Sequence, residues 1–258
     1  MRFLSGMQYR AAAWAGVATQ FAWGFMRFMM FRAFYLADPT GFPMSLQQVA
    51  SYIWLQQAFV RLFMIWGFDN TIFEAITSGG VAYELARPMP IYGMWFVKNL
   101  ATRGSEAVLR CVPLLAVACL LPAPYGIAAP ASFGSFLCFL LAMVGAYVLV
   151  VAFMMLVYIS SFYTISPMGV RIMAAAMTEL LTGGLIPLPF LPEGIRKVVE
   201  LTPFAAMENL PLQIYCGTIA GAEMARALLL QGFWLAVLIG VGWCWMRRAT
   251  RRVVIQGG

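Results

Sequence analysis

The chain contains no histidine, and only 10% of its 258 residues are charged. Without imidazole there is no histidine-ligated haem, no zinc-protease helix, no serine–histidine catalysis and no histidine proton relay. The five cysteines, Cys111, Cys119, Cys138, Cys216 and Cys244, are scattered. No pair has metal-ligand spacing and their odd number argues against a disulfide framework, so they read as small apolar residues. No phosphate-binding loop of the form GxxxxGK followed by Ser or Thr occurs, and no polar segment is long enough for a nucleotide domain. Soluble chains carry about 25% charged residues, whereas here 62% are hydrophobic and mean hydropathy is +0.82. That balance places the chain among polytopic membrane proteins.

A span needs about 20 apolar residues. On that measure one all-α transmembrane domain, residues 1–258, holds six predicted spans at about 12–36, 49–68, 107–121, 133–158, 170–188 and 227–246. The N-terminal segment with Arg2, Gln8 and Arg10 suits the headgroup region; the apolar run after it is long and lacks a small-residue cleavage site, so it reads as a span rather than a signal. The third span is short, and either kinks at Pro113 or begins earlier, within Met94 to Leu100. Ala131 to Ile165 carries no charge at all. With both termini cytoplasmic, Arg2, Arg10, Arg87, Lys98, Arg103, Arg110, Arg171, Arg247, Arg248, Arg251 and Arg252 lie inside, against Arg196, Lys197 and Arg226 outside. The net charge of +7 then marks a face turned to anionic membrane lipids, and no aromatic-basic module supports nucleic-acid binding. Trp14, Trp54, Trp66, Trp95 and Trp245 read as interface anchors.

The longest polar interruption on the cytoplasmic side is Asp69 to Pro90. Asp69-Asn70-Thr71 is helix-start chemistry, Ile72, Phe73 and Ile76 supply an apolar stripe, and Gly79-Gly80 stops the helix. A second short segment, Val81 to Ala86, ends at Arg87-Pro88. The sequence supports two readings: a surface helix pushed by a partner, or a solvated loop with one amphipathic turn. Between spans 5 and 6, Glu193 to Leu201 sets Ile195, Val198 and Val199 against Arg196, Lys197 and Glu200, predicting a short amphipathic helix lying flat.

Three charges fall deep within spans: Arg27, Arg61 and Glu179. A charge near the bilayer centre costs about 3 kcal/mol on insertion scales, so each should face protein or water. Glu179 is the only deep acid and is expected to pair with Arg61 or Arg27; the functional alternative has an arginine meeting an anionic group of a cargo.

Two stretches carry a family resemblance. Ile76 to Pro88, ITSGGVAYELARP, resembles the cytoplasmic segment of ABC-2 type permeases, the membrane subunits of ATP-binding-cassette exporters. In Phe162 to Gly217, Phe162-Tyr163, Gly183-Gly184, Ile186-Pro187, Phe190-Leu191-Pro192, Pro203-Phe204, Pro211 and Ile214 to Gly217 resemble that class's late span, proline-rich exit, external helices and closing Pro-Phe element. The resemblance implies six helices per subunit and a path formed with a second permease subunit, a copy or a homologous chain. It also implies one cytoplasmic ATPase docked on each, binding ATP and Mg there. Asp69, Asn70, Thr71, Phe73, Glu74, Thr77 and Arg87 would form the ATPase-coupling interface, and Pro187, Pro192, Pro203, Phe204 and Pro211 an extracellular cap. Arg27 and Arg61 depart from the family pattern.

The expectation is therefore a non-catalytic exporter subunit of the bacterial cytoplasmic membrane, with no metal and no cofactor of its own, moving a hydrophobic small molecule, peptide or lipid-like compound. Rival readings remain. An ion-coupled secondary carrier would want several deep acids; an intramembrane enzyme would need an acid, base or metal constellation at one depth; a non-transporting scaffold would bind partners through Asp69 to Arg110 without moving cargo.

Overall fold

The computed structural model describes residues 10–164 and 166–251, with side chains from Ala15 onward. Arg2, Gln8, Arg252 and Ile165, and the side chains of Arg10 and Trp14, lie outside the described residues. Twelve α-helices and no strand occur among them. In chain order they are α1 (Arg10–Ala37), α2 (Leu46–Ala58), α3 (Val60–Phe63), α4 (Asn70–Thr77), α5 (Val81–Leu85), α6 (Ile91–Leu120), α7 (Phe133–Ser160), α8 (Pro167–Leu181), α9 (Glu193–Glu200), α10 (Pro203–Met207), α11 (Asn209–Cys216) and α12 (Gly221–Thr250), with a 3-10 turn at Leu188–Phe190.

Two helices form the centre. Every residue of α2 from Val49 to Ala58 is buried, and α7 packs against α6, α8, α10, α11 and α12. Gly24 lets α1 close on α2: a Cβ there would lie 2.7 Å from the Trp54 ring. A capping box starts α2, with Ser45 accepting from Gln48 N and the Gln48 side chain accepting from Ser45 N.

The outer faces are apolar. Phe25, Met30 and Phe34 on α1, Val108 and Val112 on α6, Leu141 and Val144 on α7, Met173 and Leu180 on α8, and Leu229 and Phe233 on α12 are all exposed. Patches of that extent mark a surface that meets lipid or protein rather than water. Among the described residues, α7 and α12 are the helices both long and apolar enough to cross a membrane.

The other predicted spans change shape. The third begins at Ile91, so α6 is continuous through Pro113 and its middle carries Arg103 and Glu106. The second breaks: α2 ends at Ala58, Phe59 caps it, α3 adds four residues, and Met64 is extended. Span 5 shortens to α8 and stops at Thr182, before the left-handed Gly183, whose φ is 88°. At about 1.5 Å per residue, neither α2 nor α8 alone reaches across a hydrocarbon core of about 30 Å. Trp54 and Trp95 are buried rather than interfacial, donating to Tyr125 O and to the Glu84 carboxylate.

Candidate functional site

A short helix forms where the sequence predicts one. Asp69 caps α4, accepting from Thr71 N at 3.0 Å, and the 3.6-residue period turns Ile72 and Phe73 inward and Asn70, Thr71, Glu74 and Thr77 outward. Phe73 therefore lies on the face opposite the rest of the proposed coupling set. Only 4% exposed, it packs on Phe68 and Tyr158, with the Arg171 guanidinium 4.7 Å from its ring centroid. Arg87 is exposed beyond α5.

Three long helices fasten this cap. Lys98 on α6 donates to Asp69 at 2.9 Å and to Thr71 Oγ1 at 2.8 Å. Asp69 N donates to Tyr158 Oη on α7, which donates in turn to Asn99 Oδ1 on α6. Arg171 on α8 covers Phe68 and Phe73. Burial pushes the Asp69 carboxyl up, but hydrogen bonds from Lys98 and Thr71 together with the Lys98 charge outweigh it, and the net shift is downward.

The deep charges do not pair as expected. Arg61 forms its ion pair with Glu106 on α6, through Nε and Nη2. Arg27 donates to Gln56 Oε1 and Gly184 O, both at 2.7 Å. Glu179 is exposed and accepts from Trp66 Nε1 at 3.2 Å. The correction has a physical cause: once α6 begins at Ile91, Glu106 lies at mid-helix within reach of Arg61, while the turn just beyond α8 presents the Gly184 carbonyl to Arg27. Arg103, 4% exposed, donates to the carbonyls of Arg61, Leu62 and Met64, supplying partners where the second span breaks.

Around Arg27 a buried polar cluster joins four elements. Gln56 donates to Glu208 Oε1 at 2.6 Å, Thr182 donates to Glu208 Oε2 at 2.9 Å, and Tyr52 donates to Asn209 Oδ1 at 3.1 Å. The cluster forms one wall of a cavity of about 340 Å³ between α1, α2–α3 and α8, whose other walls include Trp23, Phe63, Met64, Trp66 and Glu179.

The proline-rich cap residues open helices. Pro187 precedes the 3-10 turn, Pro192 precedes α9, Pro203 is the first residue of α10, and Pro211 sits in the first turn of α11. Phe204 packs on Phe153 of α7, and α11 is buried almost throughout. Val199 of α9 is buried, while Ile195 and Val198 are exposed. Sequence reasoning missed Glu106, Glu208, Gln56 and Tyr158 as partners. Glu106 and Glu208 had one signal, being acids in a chain with only ten.

No group of three or more metal-ligating side chains occurs among the described residues. A family model described as ABC-2 family transporter protein matches residues 21–257, and the chain belongs to that family as a permease subunit. Comparison with curated proteins and with solved structures gave no match.

Proposed function

We propose that this permease works in an ATP-driven exporter, six spans per subunit with both termini cytoplasmic, forming its path with a second permease subunit. ATP and Mg bind on cytoplasmic ATPase subunits that dock on the polar face of α4. The observation that carries this reading is that α4 is held from behind by α6, α7 and α8 while Asn70, Thr71, Glu74 and Thr77 stay exposed. A push on such a helix moves the helices behind it. The cavity beside Arg27, with apolar and charged walls, suits an amphiphilic cargo: a hydrophobic small molecule, a peptide or a lipid-like compound. The prolines from Pro187 to Pro211 and Phe204 close the extracellular end.

The test is co-purification from membranes with the ATPase of the same transport system, followed by ATP hydrolysis. Glu74→Arg is expected to weaken the complex or uncouple hydrolysis while leaving the permease folded, because it alters only the exposed face. Phe73→Ala should lower folded yield instead, by removing a buried ring at a cost of about 3 kcal/mol. Failure of a folded permease to bind any ATPase would sink the exporter reading.

A further inference from the structure

The charges in the wall of the 340 Å³ cavity do not cancel. They are Arg27, Glu179 and Glu208. Arg27 and Glu208 are tied through one amide: Arg27 Nη1 donates to Gln56 Oε1, and Gln56 Nε2 donates to Glu208 Oε1. Thr182 donates to the other oxygen of Glu208, so both oxygens accept, the role of an ionised carboxylate. That cluster sets one positive charge against one negative.

Glu179 is left over. It makes no salt bridge among the described residues, and the one hydrogen bond to its carboxylate comes from Trp66 Nε1 to Oε2. Other groups in the same wall are also unused. Trp23 and Trp66 are 51% and 49% exposed, and no arginine covers either ring among the described residues. Gln57 lines the cavity and is only 6% exposed, yet its side-chain amide has no hydrogen-bond partner among the described residues and is not sealed off. A buried amide without a protein partner calls for a ligand or water to satisfy it.

A carboxylate without a counter-charge, indole faces and a free amide oxygen offer a protonated amine Coulomb attraction, cation–π attraction and an N–H acceptor. An anionic cargo would meet two carboxylates with Arg27 alone to offset them, and Arg27 Nη1 is already held by Gln56 and Gly184. We infer that the cavity selects a cationic amphiphile, taking a protonated amine against Glu179 and the Trp23 and Trp66 rings, with Gln57 accepting from its N–H and the apolar tail along Val60, Phe63 and Met64. The inference rests on the reading of this cavity as a cargo site and narrows it to one charge class.

The full chain in nanodiscs of zwitterionic lipid is titrated at neutral pH with radiolabelled decylammonium, decyl sulfate and decanol, each against empty nanodiscs, and binding is read by scintillation proximity. Decylammonium is expected to bind saturably and best. Its affinity should fall about tenfold in Glu179→Gln and several-fold in Gln57→Leu, in line with one charge-assisted and one ordinary hydrogen bond. Decanol binding should not change in Glu179→Gln. That variant keeps an oxygen for Trp66, and the Gln57 amide has no partner to strand, so both variants should melt with the wild type. No saturable decylammonium binding, decyl sulfate or decanol binding as tightly, or unchanged affinity in both variants would each overturn the inference. Failure of the exporter reading is seen separately, as a folded permease that binds decylammonium but no ATPase.

Discussion

Arg61 and Glu106 show why one acid matters more than its neighbour. Their side chains are 25% and 39% exposed, so the pair is worth about 1 kcal/mol rather than the several expected of a buried one. Removing one partner leaves a half-buried charge beside Arg103, whose guanidinium already serves three carbonyls. Glu106→Gln should therefore lower the melting temperature in detergent, and Arg61→Met with Glu106→Met should recover most of the loss. Glu179→Gln, by contrast, should leave folded yield unchanged, because its contact with Trp66 survives as a hydrogen bond to an amide oxygen. A large yield loss in Glu179→Gln alone would mean that Glu179 holds a charge partner in the membrane. The sequence places Glu179 at span depth but cannot rank distances between helices, which is why its partner was misread.

At the scale of the element, α4 was legible because every feature of it is local: a capping aspartate, an apolar stripe and a glycine stop. What fastens it was not legible, since Lys98, Tyr158 and Arg171 lie far along the chain from the residues they hold, from 27 positions for Lys98–Thr71 to 103 for Arg171–Phe68. Asp69 has a lowered pKa in the fold, so its contribution is fully present above the ordinary carboxyl value near 3.8 and is lost as pH falls through the lower folded value. Hydrogen exchange over residues 70–77 is therefore expected to stay protected from neutral pH down to about pH 4 and to lose protection below it. Asp69→Asn keeps an acceptor for Thr71 N but loses the Lys98 charge, and should abolish that acid transition while costing about 1 kcal/mol. An acid transition that persists unchanged in Asp69→Asn would assign it to another group. The break after α2 was illegible for the opposite reason: no proline or glycine marks Phe59, and the partner that supports the break, Arg103, lies on another helix.

For the whole molecule, hydropathy found the helical membrane class, and α7, which is uncharged, and α12, uncharged between Arg226 and Arg247, follow directly from it. Span 3 was displaced because charge within a helix reads as loop when its partner is unseen, whereas span 2 breaks at Phe59 without a local signal and span 5 stops before the left-handed Gly183. The orientation reading makes a direct prediction. In a cysteine-free background, Ser132→Cys before α7 and Arg251→Cys after α12 should sit on opposite sides, the first labelled by an impermeant maleimide in intact cells and the second only after permeabilisation. Labelling of both in intact cells would overturn the arrangement of termini. The segment between α3 and α4 has a consequence at this scale as well. Met64, Ile65 and Trp66 form cavity wall, and Asp69 three residues later caps α4, the helix proposed to dock the ATPase, so the cavity and the proposed docking surface share one short strip of backbone. Two binding events that bias the same strip are thermodynamically linked, and the linkage is symmetric: whatever factor the ATPase imposes on cargo affinity, cargo must impose on ATPase affinity. A loaded permease would then recruit its engine in preference to an empty one.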